Sequence, residues 1–235
     1  MTNATPAVLE PAVSPPVAAA EAARYALLRR LAPSMRHHLV VNLQPIGMIY
    51  EVMDRRLRAL APDLASVHDS AHKINGFARA ALDACLDVVT WLAPDQSATV
   101  HVADGVRECV GLLATSLGFR GYAVRNEVAD VPGEVSRASV RSVLTSALIH
   151  LTDHNPAPAD LVLAASAEPQ GLRLALSLHP TQGTQGFANE ASYRKLDWND
   201  VQALAEAESV QLQREGTTLL MLISWSDRTA RRGAD

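Results

Sequence analysis

The sequence predicts an α+β protein in which a long antiparallel helical hairpin precedes an α/β sandwich. Two heptad-like apolar seams run from about residue 21 to residue 92, and one turn signal separates them. After residue 98, helical patterns alternate with several short strand patterns. Hydrophobic residues make up 48% of the 235 residues, which is enough to form a packed core.

Changes in composition divide the chain into four segments. Residues 1–19 are rich in alanine, proline and valine, so we predict a disordered leader there. Residues 20–94 form the predicted hairpin, which ends at the sequence Ala-Pro-Asp. Residues 98–227 form the predicted α/β domain, and residues 228–235 form a flexible tail.

The first helix of the hairpin carries an apolar seam whose steps alternate between three and four residues. Near Leu39 two four-residue steps adjoin, which is a local register skip beside His37. Pro45 lies inside this helix and is expected to bend it, because proline removes one backbone hydrogen bond. The predicted seam comprises Tyr25, Leu28, Ala32, Met35, Leu39, Leu43, Ile46, Tyr50, Met53, Leu57 and Leu60.

The second helix follows a break at residues 61–63, and its seam steps by three and four residues without exception. Two long helices with a tight connection form an antiparallel hairpin, and one hairpin cannot bury its seam alone. We therefore expect a homodimer that forms a four-helix bundle, with packing on the second domain as the alternative. The predicted seam comprises Leu64, Val67, Ala71, Ile74, Ala78, Ala81, Cys85, Val88 and Leu92.

The elements of the second domain are predicted from their period and their turn residues. Residues 168–171, Glu-Pro-Gln-Gly, join two strands, and Asp197 is expected to cap a helix. The polar residues 179–196 are predicted to form a loop. The predicted helices are 102–117, 135–152 and 197–205, and the predicted strands are 122–127, 161–167, 172–178, 210–213 and 217–225.

Composition and charge argue against several classes of partner. The formal net charge of −4 gives no electrostatic reason to expect nucleic acid. The sequence has no stretch of about 18 apolar residues and no signal-peptide pattern, so we expect no membrane association and a cytoplasmic location. Cys85 and Cys109 are expected to be reduced thiols, and His68 with His72 lacks a third metal ligand. We expect no metal and no cofactor.

Residues 36–46, with the sequence RHHLVVNLQPI, resemble the H-box of histidine kinases. In that family the phosphoacceptor histidine is followed by an acid, then by leucine, and some residues later by a proline. With His37 as the acceptor, Leu39, Leu43 and Ile46 align without a gap. The resemblance implies that the hairpin is a dimerisation and phosphotransfer domain.

A second stretch, residues 143–154 with the sequence VLTSALIHLTDH, looks like the N-box helix of the ATP-binding domain in the same family. The order of the elements that follow is also similar, so the resemblance spans about residues 21–226. It implies that the second domain has the architecture of a histidine-kinase ATP-binding domain.

The sequence departs from that family at the groups that bind nucleotide. An N-box asparagine of the family supplies an oxygen ligand to Mg²⁺, and His150 holds that place here. Imidazole is a poor ligand for Mg²⁺. The family's next motif has an aspartate that binds adenine, yet no aspartate occurs between Asp160 and Asp197. Phosphoryl transfer from ATP depends on such groups, so we predict a degenerate ATP site.

The candidate catalytic residue is His37. Neutral imidazole is a good nucleophile near pH 7 and can attack the acyl phosphate of a receiver domain. The seam turns Met35 and Leu39 inward, which leaves His37 outward and His38 on the flank. His38 replaces the acid of the family, which is further evidence against kinase chemistry. Arg36 is placed to attract an acidic receiver site or to steady the phosphoryl group.

These features predict a histidine phosphotransfer protein of a two-component phosphorelay. It would accept and donate phosphoryl groups at His37 without ATP-dependent autophosphorylation. The expected partners are receiver domains of response regulators and a second copy of the chain, and a hybrid histidine kinase is a further candidate. One alternative is a non-catalytic pseudokinase adaptor that binds a response regulator or a kinase. Another is an ATP-dependent histidine kinase with unusual motifs.

Overall fold

Two long helices dominate the first part of the computed structural model, which describes residues 14–129, 131–183, 186–187 and 193–226. Helix α1 spans Pro15–Leu57 and helix α2 spans Leu64–Leu92. Helix α1 thus begins inside the predicted leader. Residues 1–13 and the predicted tail lie outside the described residues.

The hairpin turn follows from its sequence. The carboxylate of Asp63 accepts hydrogen bonds from the backbone N–H groups of Ala65 and Ser66, at 3.1 and 3.3 Å. Such a cap satisfies donors that have no partner within the first turn of a helix. The break predicted at residues 61–63 is confirmed, and helix α1 continues through both Pro33 and Pro45.

The remaining elements form an α/β unit whose main sheet has the strand order β2-β4-β5-β7-β6. Strand β2 is parallel to β4, and every other neighbouring pair in this sheet is antiparallel. Strands β1 and β3 form a separate antiparallel pair. The strands are β1 Thr99–His101, β2 Tyr122–Asn126, β3 Glu134–Ser136, β4 Ala159–Glu168, β5 Gly171–Pro180, β6 Gln211–Glu215 and β7 Thr218–Ser224.

Helices cover one face of this sheet. They are α3 Val102–Phe119, α4 Arg137–Ser139, a π-helical turn Val140–Leu144, α5 Thr145–His154 and α6 Trp198–Ala207. The middle three follow one another directly, so residues 137–154 form one continuous helical run. These helices and the strands of the main sheet agree with the predicted elements to within a few residues at each end, whereas β1 and β3 have no predicted counterpart.

The core lies between the sheet and this helical layer. Alternate residues of the central strands are fully buried, because successive side chains of a strand point to opposite faces. The residues between them are half-buried or exposed. The buried strand residues are Leu161, Leu163, Leu172, Leu174, Leu176, Leu178, Leu219, Met221 and Ile223. The predicted α+β fold class, a helical hairpin followed by an α/β sandwich, is therefore confirmed.

The buried face of helix α1 differs from the predicted seam. Met35 is buried as predicted, but Tyr25 and Leu43 are 56% and 51% exposed. The N-terminal half of α1 packs on α3 and α6 as well as on α2, so its buried stripe is rotated toward the α/β unit. The residues buried along this half are Ala20, Ala23, Ala26, Leu27, Leu31 and Met35.

Helix α2 agrees with its predicted seam at every second step. Residues 67, 74, 81 and 88 of the predicted seam lie on its less exposed side. At the alternate positions of the seam the less exposed residue is one earlier in the chain than predicted, at 70, 77, 84 and 91. Consequently, apolar side chains remain on the outer surface of the helix. They include Leu82, Leu86, Val89 and Leu92, which are all more than half exposed.

A buried arginine fastens the end of helix α2 to the α/β unit. Arg141, in the π-helical turn, donates to Thr90 Oγ1 at 2.7 Å and to Asp87 Oδ1 at 2.6 Å. It also pairs with Glu108 of α3, and its guanidinium lies 4.7 Å from the centre of the Trp91 ring. Two helices of the α/β unit and the last turns of α2 therefore meet at one side chain.

The two thiols should differ sharply in reactivity. Cys109 is fully buried in α3, and burial raises the pKa of its thiol to about 12. At pH 8 only about one Cys109 in ten thousand would be a thiolate, the reactive form. We expect Ellman's reagent to modify the exposed Cys85 in the native protein and Cys109 only after unfolding. Rapid modification of two thiols per native chain would contradict this packing.

Candidate functional site

A cavity of about 400 Å³ lies between helix α1 and the C-terminal half of helix α3. Side chains of α1 form one wall, the end of α3 forms the other, and Ile149 of α5 contributes to the lining. Its lining residues are Arg30, Pro33, Ser34, Arg36, His37, His38, Leu112, Leu113, Thr115, Ser116, Leu117, Phe119, Arg120 and Ile149. The cavity therefore brings the predicted site residue His37 together with residues of the second domain.

His37 lies on the exposed side of α1 and reaches this cavity. Two residues before it, Met35 is buried, and two residues after it, Leu39 is half-buried, so the predicted outward position of His37 agrees with the helix. The ring of His38 lies 6.4 Å from that of His37, centre to centre. Within the described part of the chain, no hydrogen bond engages the His37 ring.

A bidentate ion pair fixes helix α1 against helix α5 just before the histidines. Arg30 donates from Nη1 to Asp153 Oδ2 at 2.5 Å and from Nη2 to Asp153 Oδ1 at 2.7 Å. The two side chains are only 7% and 2% exposed. Such paired, charge-assisted bonds fix geometry as well as energy. Arg30 lies seven residues before His37, so the support is about two helical turns from the candidate site.

Asp153 is also held from two other directions. Arg120, at the end of α3, donates to the carbonyl of Thr152 at 2.6 Å and lies 3.4 Å from Asp153 Oδ1. The backbone N–H of Leu196 donates to Asp153 Oδ2 at 3.1 Å. One buried carboxylate thus joins α1, α3, α5 and the segment that precedes α6.

His150, where the sequence resemblance places a Mg²⁺-binding asparagine, is buried in the helical layer. Its Nδ1 lies 2.8 Å from the carbonyl oxygen of Leu196, and the Nε2 of His154 lies 3.0 Å from the same oxygen. Because a carbonyl oxygen only accepts, Nδ1 of His150 carries the proton. The Trp198 ring packs 5.8 Å from that of His150, so this side of α5 is covered by residues around the start of α6.

The protein should lose stability as the pH decreases, because of His150. Burial lowers the pKa of His150 from its ordinary value of 6.5, so the folded protein keeps this ring neutral while the unfolded chain protonates it. Stability is therefore lost as the pH falls below about 6.5. We expect a lower free energy of unfolding at pH 5.5 than at pH 7.5, and a shallower difference in His150→Asn. An unchanged pH slope in this variant would contradict the assignment.

The residues that organise this region were not singled out from the sequence as a group. Arg30 looks like an ordinary polar-face residue of a long helix, and its partner Asp153 follows 123 residues later. Arg120 and Leu196 likewise carry no motif. The sequence singled out His150 and Asp153 only as members of an N-box-like helix. Arg36, singled out beside His37, does line the cavity.

Similar solved structures include two histidine kinases and a phosphotransferase. A histidine kinase from Burkholderia phymatum is 15% identical, with a TM-score of 0.42 over 91% of this chain and 99% of that one. The histidine kinase AdeS of Acinetobacter baumannii is 13% identical, with a TM-score of 0.40 over 77% and 96%. A bacterial phosphotransferase is 14% identical, with a TM-score of 0.38 over 84% and 95%. All three TM-scores are below 0.5.

The sequence matches no protein-family model and no curated protein sequence. None of the described helices combines the length and the apolar character that crossing a membrane requires. His68 and His72 lie on the exposed surface of α2.

Proposed function

We propose that this chain is a cytoplasmic, homodimeric histidine phosphotransferase that relays phosphoryl groups between receiver domains at His37. The observation that carries the proposal is the setting of His37, an exposed imidazole on a helix that is fixed to a second domain on the same side. A phosphotransfer histidine needs both accessibility and a rigid support, because the reacting atoms must align within a few tenths of an ångström.

The chemistry requires little from this chain beyond the imidazole. An unprotonated ring nitrogen of His37 attacks the phosphorus of an aspartyl phosphate, a P–N bond forms, and the P–O bond to the aspartate breaks. The aspartate leaves as a carboxylate, and the reverse step passes the phosphoryl group to a second receiver. The receiver supplies Mg²⁺ and its own carboxylates, so the replacement of the family's acid by His38 is tolerated.

The rigid support comes from contacts on both sides of His37. Arg30 and Asp153 fix the helix two turns before it, and Met35, two residues before it, is buried. On the other helix, Arg141 fastens the end of α2 to the same domain. The second domain thereby acts as a brace for the hairpin.

We expect no ATP-dependent autophosphorylation, because Asp153 and the Nδ1 atom of His150 on helix α5 are already engaged. Asp153 accepts from Arg30 and from the Leu196 backbone, and His150 donates to the Leu196 carbonyl. A nucleotide with Mg²⁺ needs free oxygen ligands at this place, and imidazole does not replace them.

The homodimer is supported by apolar surface that the hairpin leaves uncovered. Leu43 and Tyr50 of α1 and Leu82, Leu86 and Val89 of α2 are 51–58% exposed. Exposed apolar surface of this kind favours association, and four helices bury it better than two. We expect light scattering to show a dimer and the double variant Leu82→Glu/Leu86→Glu to be a monomer.

The control for the dimer is Val17→Glu, which adds one negative charge, half that of the double variant, at a residue that is 49% exposed outside this surface. That variant should remain dimeric. A wild-type monomer at micromolar concentration would contradict the dimer and would leave the chemistry at His37 to be judged separately.

The test of the function is transfer from a receiver. A receiver domain labelled on its aspartate is mixed with the chain and Mg²⁺ in the absence of ATP. We expect acid-labile, base-stable phosphate to appear on this chain and to be absent from His37→Gln. No transfer from any of a panel of receivers would contradict the proposal. Receiver binding that is equal in wild type and His37→Gln, without transfer, would favour the adaptor instead.

A further inference from the structure

The cavity beside His37 has an unusual combination of lining groups for a surface cleft. Its lining includes three arginines, Arg30, Arg36 and Arg120, and the described lining contains no carboxylate. The hydroxyl groups of Ser34 and Ser116 add neutral hydrogen-bonding capacity. The charged lining therefore selects for an anion.

The charge of the cavity is only partly compensated by its surroundings. Asp153 pairs with both Arg30 and Arg120, so one carboxylate offsets two guanidinium groups. Among the described residues, no acidic side chain pairs with Arg36. A net positive charge therefore remains in the lining, and Arg36 is its accessible end because the residue is exposed.

The floor of the cavity is apolar. Leu112, Leu113, Leu117 and Ile149 are between 1% and 6% exposed and line it together. Sites for small molecules are commonly clefts of about 300–1,000 Å³ with an apolar lining and a few well-placed polar groups, and this cavity, at about 400 Å³, falls at the lower end of that range. Its occupant should carry an apolar body as well as a charge.

We propose that this cavity binds a small amphipathic organic anion, with its anionic head at Arg36 and its apolar body against the leucines of α3. The head is a carboxylate or a phosphate, since both accept hydrogen bonds from guanidinium groups. The site is distinct from the covered face of α5, because Leu196 and Trp198 lie there and neither lines the cavity.

An occupant of the cavity would also cover His37. The imidazole belongs to the same lining as Arg36, so a bound anion would hinder the approach of a receiver. This consequence rests on the proposed phosphotransfer function, whereas the binding does not. The ligand would then act as a competitive inhibitor of phosphoryl transfer and would couple the relay to the concentration of a metabolite.

The test compares three probes that share an eight-carbon chain: octanoate, octyl phosphate and octanol. Binding is followed by the amide chemical shifts of the full-length protein at increasing probe concentration. We expect at least one of the anions to bind with a dissociation constant of about 0.1–1 mM and octanol to bind at least about fivefold more weakly. The shifts should cluster at Ser34, Thr115 and Ser116, and the tighter anion identifies the head group.

Three variants locate the site. Arg36→Gln should weaken the anion about fivefold and leave octanol unchanged, because an exposed charge contributes a modest attraction. Arg55→Gln, an exposed arginine further along the same helix, should change neither. Ser34→Phe should fill the cavity and abolish binding of all three probes.

Several results would overturn the proposal. They are octanol binding as tightly as the anions, an unchanged affinity in Arg36→Gln, the absence of saturable binding, and shifts that map to the outer surface of α2 around Leu86. The consequence for His37 is tested by transfer from a phosphorylated receiver at saturating octanoate. Transfer unaffected by the anion would overturn the inhibition alone. Transfer absent with and without it would contradict the proposed function and leave the binding result standing.

Discussion

Replacing Asp153 with alanine is expected to lower the free energy of unfolding by about 3–5 kcal/mol. The carboxylate is 2% exposed and joins Arg30, Arg120 and the backbone N–H of Leu196. Removing it leaves two guanidinium groups without their counter-charge, and Arg30 is itself almost fully buried. A buried charge that has lost its partner costs more than the pair contributes, which makes this substitution one of the most damaging in the chain. Chemical denaturation of the protein at a fixed concentration measures the change.

Two controls separate this network from an ordinary surface pair. Asp69→Ala removes the partner of Lys73, but both of these side chains are about 60% exposed, so this substitution should cost far less stability. The double variant Arg30→Met/Asp153→Leu should recover part of the loss, because it removes both charges together. An Asp153→Ala protein with the stability of the Asp69→Ala control would contradict the bracing role assigned to this contact.

His37→Gln is expected to abolish phosphoryl transfer, with a loss of at least about a thousandfold in rate. Glutamine preserves polarity and approximate size but offers no nucleophilic nitrogen, so no phosphoramidate forms. The residue is exposed and makes no hydrogen bond within the described part of the chain, so the fold should be unaffected. Quench-flow mixing with a labelled receiver measures the rate, and thermal unfolding checks the fold.

His38→Gln is the matched control for this prediction. Its ring is also exposed and lies 6.4 Å from that of His37, so a general loss of charge or polarity at this place would affect both variants. We expect His38→Gln to transfer within about threefold of the wild type, the scale of a change in a neighbouring, non-reacting group. The opposite pattern, with transfer lost in His38→Gln alone, would assign the acceptor to the other ring.

Much of the fold could be predicted because its signals are local. The turn between the long helices depends on Asp63, whose carboxylate caps the next helix. The hairpin between β6 and β7 turns at Gly216, whose φ of +61° favours glycine. Sequence period alone then separates helices from strands on either side of such turns.

The faces of the long helices could not be predicted in the same way. Several stripes of α1 are apolar enough to serve as a seam, and the one that is buried depends on which neighbour covers it. Its N-terminal half buries Leu27 and Leu31, and the helix packs on α3 and α6 as well as on α2, which no pattern within the hairpin indicates. The predicted seam assumed a partner helix, and the α/β unit takes that place along half of the helix.

Long-range ion pairs also leave no trace in a single sequence. Arg141 and Asp87 are 54 residues apart, and Arg30 and Asp153 are 123 apart, so neither pair produces a period or a motif. These contacts nevertheless join the second domain to the hairpin. The position of His37 could be predicted because it depends on the local helix. The cavity beside it depends on these long-range ion pairs, which could not be predicted.

The most direct test of this account is a relay between two receivers in one reaction. A receiver labelled on its aspartate, a second unlabelled receiver, Mg²⁺ and a small amount of this chain are mixed without ATP. We expect the label to reach the second receiver in many turnovers per chain, through an intermediate labelled at His37, and to stay on the first receiver when His37→Gln replaces the wild type. Equal transfer with the His37→Gln chain, or transfer by the wild type that requires added ATP, would contradict the account.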